Sequence, residues 1–346
     1  MTDTAKDRSR PETRRGPSMA DVAKLAGVSS QTVSRVSNER RNVDEATRER
    51  VLAAMRRLGY KPNRAARALR TGRFRSIGVI TFTLSTYGNM RTLDAITAAA
   101  AEEDLTVTVI RIPDPTTGTV SGAYRRLSEQ AVDGVVIIFE AHLLDQADIT
   151  LPDDQPVVVV DSNAGDAYAV VDTDQELGAR QATEHLLGLG HPTVWHIAGP
   201  EDSFSAHHRV TAWAETLRAR GITSPLAMRG DWSTDSGYRI GRELAARPEV
   251  SAVFAANDQM ALGALQALHE AGRDVPGEVS VVGFDDMPES KAFWPPLTTV
   301  HQDFAEVGRR CIEKLVHAIE TKEHETGRAL VPTRLIVRES TARYAG

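Results

Sequence analysis

Cysteine is nearly absent. The single thiol, Cys311, permits no internal disulfide and no cysteine-built zinc site, and it points to a reducing compartment. Long apolar runs are missing as well. No uncharged stretch reaches the roughly 18 residues of a membrane span, so no membrane partner is expected. The opening MTDTAKDRSRPETRRGPS has no apolar centre of the kind a secretory signal needs, so a cytoplasmic location is expected. The motifs of common catalysis are absent too: no Walker lysine loop, no HExxH pair and no nucleophile elbow. Ser205-Ala206-His207-His208 comes nearest to a catalytic group, but paired histidines usually face solvent. No enzymatic activity, cofactor or metal is expected.

What remains is an ordinary soluble composition of 346 residues, 41% hydrophobic and 25% charged, enough for two or three domains. The net charge of −6 conceals a division. In residues 1–75 Lys and Arg outnumber Asp and Glu by 19 to 8, a balance of +11, whereas the rest of the chain carries −17. A basic head on an acidic body suggests two partners of different kinds, with a polyanion near the head. A solvated basic arm without function is the plain alternative.

Residues 1–17 are polar, charged and punctuated by Pro11 and Pro17, the composition of a disordered basic arm. Helical patterning begins at Met19. Asp21–Ala26 is a short amphipathic run closed by Gly27, and Ser29 stands where an N-cap belongs for Ser30–Asn38. Asp44–Leu58 repeats apolar residues at Val51, Leu52, Met55 and Leu58, a third helix facing inward. Tyr60-Lys61-Pro62-Asn63 breaks the pattern. Arg64–Arg70 then sets Ala and Leu on one side and arginines on the other, ending at Thr71-Gly72 as a linker.

Beyond the linker, apolar runs alternate with helical ones. Strand candidates are Ile77–Phe82, Leu105–Ile110, Val135–Phe139, Val157–Val160, Val194–Ala198, Ala252–Ala256 and Val279–Phe284. Amphipathic stretches occupy 90–103, 118–131, 174–189, 206–220, 235–247 and 258–271. Apolar strands separated by helices of 10–15 residues mark βαβ units and buried parallel sheets. About 270 residues exceed one small doubly wound sheet, so two lobes are expected, with a ligand between them at the carboxyl ends of the strands.

DVAKLAGVSSQTVSRVSN has the form of a helix-turn-helix. Gly27 can take the positive φ of the turn, Ala23 lets the helices approach, and Val28, Val33 and Val36 pack the second helix down. Its opposite face shows Ser30, Gln31, Ser34 and Arg35. In the major groove Gln matches an adenine edge and Arg the O6/N7 edge of guanine. The competing reading is a three-helix interaction module whose polar face meets only water.

The run DVAKLAGVSSQTVSRVSN, followed by TRERVLAAMRRLGYKPNRAARAL, resembles the lactose repressor family (LacI/GalR) of bacterial transcription regulators. The resemblance continues in order through HLLGLGHPTVWHIAGP, GDWS, FAANDQMALGALQAL, SVVGFDD and PPLTTVHQDF, over residues 18–340. It implies an all-α helix-turn-helix head and an α/β body of two doubly wound parallel-sheet lobes, like a type I periplasmic sugar-binding protein. The divisions it implies are a DNA-binding domain at 18–62, a hinge helix at 63–73 and an effector-binding and dimerisation domain at 74–342. The N-lobe would comprise about 74–173 and 303–331, and the C-lobe about 174–300 and 332–342.

Residue roles follow from the same resemblance. Ser30, Gln31 and Arg35 fall where the family reads bases, and Ser29, Thr32, Ser34, Asn38 and Asn63 where it grips phosphates. Ala66, Leu69 and Arg70 fall on the minor-groove hinge, with Leu69 as the wedge that opens a central base step. A plain capping leucine is the alternative there. In the body, Asp161, Arg209, Trp232, Asn257, Asp285 and Gln302 match the effector pocket. Their chemistry suits a sugar, with a rigid fork of donors, an aromatic face and carboxylates and amides at strand ends. Phe82 stands at a pocket position that is small and polar in the family's namesake. For the strand-end Asp and Asn residues, helix capping is a competing role.

The resemblance thus implies a sugar-responsive, nucleoid-associated transcriptional regulator, most naturally a repressor released from operator DNA by a galactoside-like effector. The sequence ends at Arg343-Tyr344-Ala345-Gly346 without leucine heptads, so a homodimer is expected. A transport-type sugar-binding protein of the same body fold is the rival reading, and an enzyme acting on a sugar a weaker one.

Overall fold

The computed structural model describes residues 16–37, 42–61, 68, 72–112, 117–139, 155–160, 168–323 and 325–346. The chain divides into two compact units, one ending at Phe74 and one running Arg75–Gly346.

The first unit holds helices α1 (Met19–Ala26), α2 (Ser30–Ser37) and α3 (Glu45–Leu58). Each boundary has a local cause. A capping box opens α1: the Asp21 amide donates to Ser18 Oγ, and the Ser18 amide donates to the Asp21 carboxylate at 2.8 Å. Gly27 closes it in the left-handed region at φ 66°, donating its amide to the Ala23 carbonyl. Asp44 caps α3 by accepting the Thr47 amide, and Gly59 ends it, again left-handed. The helices meet around Val22, Ala23, Ala26, Val33, Val36, Val51, Ala54 and Met55. Leu52 departs from expectation. It is 38% exposed, because the inward stripe of α3 runs through Val51, Ala54 and Met55 and leaves its neighbour about 100° round the helix.

The second unit contains two six-stranded sheets. The elements run β1 (Ser76–Thr81), α4 (Tyr87–Glu102), β2 (Thr106–Arg111), α5 (Thr117–Glu129), β3 (Gly134–Ile138), β4 (Val157–Val160) and β5 (Ala169–Thr173). They continue with α6 (Gln175–Gly188), β6 (Trp195–Ala198), α7 (Phe204–Ala219), β7 (Met228–Arg229), α8 (Thr234–Ala245), β8 (Ala252–Ala255), α9 (Asp258–Glu270) and β9 (Ser280–Asp285). Last come β10 (Thr298–His301), α10 (Phe304–Thr321), β11 (Gly327–Val331) and β12 (Arg334–Ile336). The N-lobe sheet has the order β11-β5-β4-β3-β1-β2, parallel throughout; the C-lobe sheet runs β12-β10-β9-β8-β6-β7, with only β12 antiparallel.

The chain therefore passes between sheets after β5, β10 and β11. These crossings are stitched together, since the Asp174 amide donates to the Val331 carbonyl at 2.8 Å and Thr333 Oγ1 to the Asp174 carbonyl at 3.1 Å. Strand parity builds the cores. In β1, Ile77 and Val79 face α4 and α10, whereas Ile80 faces α5 with Ile137 and Val159. The C-lobe sheet is likewise covered on one face by α8 and α9 and on the other by α6 and α7.

This is the two-lobed parallel architecture expected from the alternation. All seven strand candidates form, with ends shifted by about a residue. The pattern leaves β5, β7, β10, β11, β12 and α10 unmarked. The edge strands β11 and β12 carry Arg328 and Arg334 on exposed positions, which breaks the apolar run by which a buried strand is recognised.

Helices α8 and α9 touch through glycines. A Cβ on Gly263 would lie 2.0 Å from the Thr234 carbonyl oxygen and 2.5 Å from the Tyr238 nitrogen, both backbone atoms that cannot rotate aside. Gly263→Ala should destabilise the second unit by about 1–3 kcal/mol in thermal denaturation. Gly122→Ala on α5 has open space around it and should leave stability unchanged or slightly raised.

Candidate functional site

The first unit presents α2 as an exposed polar face. Ser29, Ser30 and Gln31 are exposed, Thr32, Ser34 and Arg35 half-buried, and Val33 and Val36 hold the opposite face in the core. Ser29 orders the start of the helix: its Oγ accepts the Thr32 amide at 3.1 Å and lies 2.9 Å from the Thr32 hydroxyl. Asn38, Asn63, Ala66, Leu69 and Arg70 lie outside the described residues.

The second unit holds a cavity of about 570 Å³, counting its mouth, between the two lobes at the carboxyl ends of the strands. Five of the expected residues line it: Arg209, Trp232, Asn257, Asp285 and Gln302. Asp161 falls outside the described residues, though Val160 immediately before it contributes to the wall.

Arg209, on α7, is only 4% exposed. Its Nε donates to Gln175 Oε1 at 2.9 Å, its Nη1 donates to the Ala256 carbonyl, and its Nη2 lies 4.0 Å from Asp285 Oδ1. The guanidinium carbon sits 3.7 Å from the Phe284 ring centroid and 5.4 Å from that of Trp232. Both rings are close enough for cation–π attraction. Asp285 ends β9 at φ 109° and accepts a 2.6 Å bond from Gln302 Nε2. Burial pushes its carboxyl up to about 6, against the opposing pull of Arg209 and Gln302.

Trp232 occupies the loop before α8 at φ 71°. Gly199 makes room for it, since a Cβ there would lie 2.3 Å from the indole. Asn257 Nδ2 donates to the Trp232 carbonyl at 3.0 Å, and Asn257 Oδ1 accepts the Met260 amide at 2.8 Å. Asn257 is thus both the N-cap of α9 and part of the cleft wall; the two roles do not compete. Asp258, behind it, accepts the Ser290 and Thr299 hydroxyls and the Met287 amide. Burial, reinforced by the like charge of Asp285, raises it to about 7. It ties the 287–290 segment to α9 and does not line the cavity.

Phe82 requires correction. It contributes nothing to the cavity; its ring packs 5.3 Å from Phe139 in the apolar layer under α5. The parity of β1 explains this, because even-numbered positions along it point to the α5 face. The cleft residues the sequence reading missed come chiefly from the N-lobe: Thr86, Tyr87, Asn89 and Thr92, joined by Gln175, Ser205 and Phe304. Tyr87 and Phe304 meet edge-to-face at 6.0 Å. Gln175 follows β5, a strand that the apolar pattern leaves unmarked, and a loop separates Thr86 from the end of β1, so the strand-end rule reaches neither from the sequence.

The profile described as bacterial regulatory proteins, lacI family, matches residues 18–63, and that of a periplasmic binding protein-like domain matches 183–341. The Lactose operon repressor of Escherichia coli K12 is 36% identical over 327 residues, spanning 93% of this chain and 89% of that one. The chain belongs to the lacI family of bacterial regulatory proteins. A solved Lac repressor dimer bound to operator and the anti-inducer ONPF superimposes with a TM-score of 0.83 at 34% identity, covering 95% of this chain and all of that one. The complex of the transcriptional regulator CelR with cellobiose gives 0.66 at 33% identity, with 94% and 99% covered. As a lacI-family regulator, the chain combines a DNA-binding head with a binding-protein body. Among the described residues no helix is long and apolar enough to cross a membrane.

The two raised carboxyls of this lacI-family body predict a pH dependence. Asp258 and Asp285 retain protons in the folded state that an unfolded carboxyl at 3.8 would release. Stability should therefore fall as pH rises from about 4 to about 7, then level off. Asp258→Asn should flatten the part of this slope above pH 5, whatever its constant offset, in melting temperatures measured between pH 5 and 8. An unchanged slope would remove Asp258 from the titration.

Proposed function

We propose that this lacI-family chain is a sugar-responsive repressor that binds a pseudo-palindromic operator as a homodimer and releases it when a small, galactoside-like sugar fills the cleft. The observation that carries the reading is the cleft's chemistry: a buried guanidinium fork, an indole and paired amides and carboxylate converge at strand ends. A sugar ring presents apolar C–H faces to aromatics and hydroxyls to such groups, and the geometry supplies both kinds of partner. Relatives support it, since the Lac repressor dimer holds operator and ONPF, and CelR holds cellobiose.

In this reading Ser30, Gln31 and Arg35 touch base edges, and Ser29, Thr32, Ser34, Asn38 and Asn63 touch phosphates. Residues 63–73 form the hinge, where Ala66, Leu69 and Arg70 enter the minor groove. The protein works in the cytoplasm on nucleoid DNA. Arg209, Trp232, Asn257, Asp285 and Gln302 take the effector, joined by Asp161.

Two substitutions test the two ends separately. On an operator selected from a random DNA pool, Arg35→Ala should lose about 1–3 kcal/mol of discrimination at one base pair per half-site. Unchanged base preference would take Arg35 out of the readout. Arg209→Ala should fold and still hold that operator, yet fail to release it with any sugar that releases the wild type. A normal response would remove the cleft from effector binding.

A further inference from the structure

The first turns of α7 stand between two hollows. Ser205 and Arg209 line the cleft, whereas Phe204 and His208 line a second hollow of about 340 Å³, counting its mouth. One residue turns a side chain about 100° round a helix, so these two pairs, each spaced four apart, face different ways. Thr173 and Gln175 line both hollows, which makes the crossing from β5 to α6 the rest of the partition.

The second hollow lies across the lobes. Asp172 and Arg328 reach it from the N-lobe strands β5 and β11, and Glu176, Phe204 and His208 from the C-lobe helices α6 and α7. Arg328 spans the gap. Its Nε lies 3.0 Å from Oδ2 of the buried Asp172, and its guanidinium carbon sits 5.2 Å from the Phe204 ring centroid. The ring is held in turn. It packs 4.4 Å from the His208 ring, and His208 Nδ1 lies 2.7 Å from Glu176 Oε1.

The two contacts of Arg328 respond differently to lobe movement. Its ion pair with Asp172 lies within the N-lobe sheet and survives a rotation of one lobe against the other. The cation–π contact joins the lobes, and such attraction extends only to about 6 Å from the ring centroid, so a displacement of about 1 Å undoes it. Phe204 shares its helix turn with Ser205 and Arg209. A ligand that draws on those cleft residues therefore pulls on the ring that Arg328 grips.

Resting on the sensor reading above, we infer that Arg328 and Phe204 form an interlobe latch. It is a positioning contact that favours the lobe arrangement described here and, through α7, ties that arrangement to what occupies the cleft. Sugar can release operator only if the two favour different arrangements. Breaking the latch moves the two affinities in opposite senses, or one of them alone. The ratio of sugar to operator affinity then shifts by the full contribution of the latch, about two- to fivefold for a partly exposed cation–π pair.

The test measures both affinities on the full chain, with an operator selected from a random DNA pool and with galactose, lactose and cellobiose as the sugars. Phe204→Leu keeps apolar bulk and removes the ring; Arg328→Gln removes the cation and keeps the ring. Each should shift the ratio by about two- to fivefold in the same direction. The double variant should shift it no further than either single one, since each removes the same contact. General structural damage would lower the melting temperature and both affinities without this pattern. An unchanged ratio in both single variants, or shifts that simply multiply in the double variant, overturns the latch and leaves the sensor reading standing. If no sugar binds, or none alters operator affinity, the sensor reading fails and interlobe distances decide the latch. Spin labels at Arg126→Cys on α5 and Glu243→Cys on α8, both exposed positions, report them in chains diluted with unlabelled protein. The native Cys311 is fully buried and stays unlabelled. Phe204→Leu should alter the distance distribution; one identical to the wild type overturns the latch as well.

Discussion

Arg209 carries a full charge where only 4% of its surface meets solvent, and much of the cleft's geometry consists of what makes that charge tolerable. An isolated buried guanidinium would cost several kcal/mol of lost hydration. Here Gln175 comes from the start of α6, the Ala256 carbonyl from just after β8, Asp285 from the end of β9, and Phe284 supplies a ring face beneath. One side chain on α7 thereby fixes the relative positions of three other elements. The fork's donors are rigid and planar, so the groups that satisfy it are held in a single arrangement before any ligand arrives.

The backbone strain in this lobe sits close to that fork. Trp232, Asp285 and Asp286 all have positive φ without being glycine, a conformation costing about 1–3 kcal/mol each. Each is over-determined by its surroundings. Asn257 holds the Trp232 carbonyl, Gln302 and Arg209 hold Asp285, and Arg338 and His301 hold Asp286. Glycine would relieve the strain, but it would remove the indole and the carboxylates on which the site and its support depend. The strain collects where the chain turns sharply at the wall of the cleft and just behind it.

Much of this was legible in the sequence. Alternating apolar and amphipathic runs announce two parallel sheets, and Gly27 with Ser29 announces the turn before α2. The strand-end positions Asn257 and Asp285 point to the cleft through topology alone. Where legibility ended, the reason was three-dimensional. Phe82 sits beside the cleft in sequence but faces α5 because strand parity sends it there, with Phe139 waiting to stack. Thr86, Tyr87 and Asn89 carry no signature chemistry; a loop and the first turn of a helix bring them to the cavity. Leu52 looks like core by composition and misses it by one helical step. Periodicity reveals which face is apolar, whereas the partner that covers it is a property of the assembled fold.

A DNA-reading head and a ligand cleft in separate units of one chain make a regulator only if the two binding events share a free energy. Linkage requires any such coupling to be reciprocal, so one coupling free energy is measurable from both sides. The decisive measurement is operator affinity with and without saturating sugar, paired with sugar affinity with and without saturating operator. Release of operator by sugar requires a substantial weakening in each, by the same factor. A sugar that fills the cleft while operator affinity stays unchanged would contradict it.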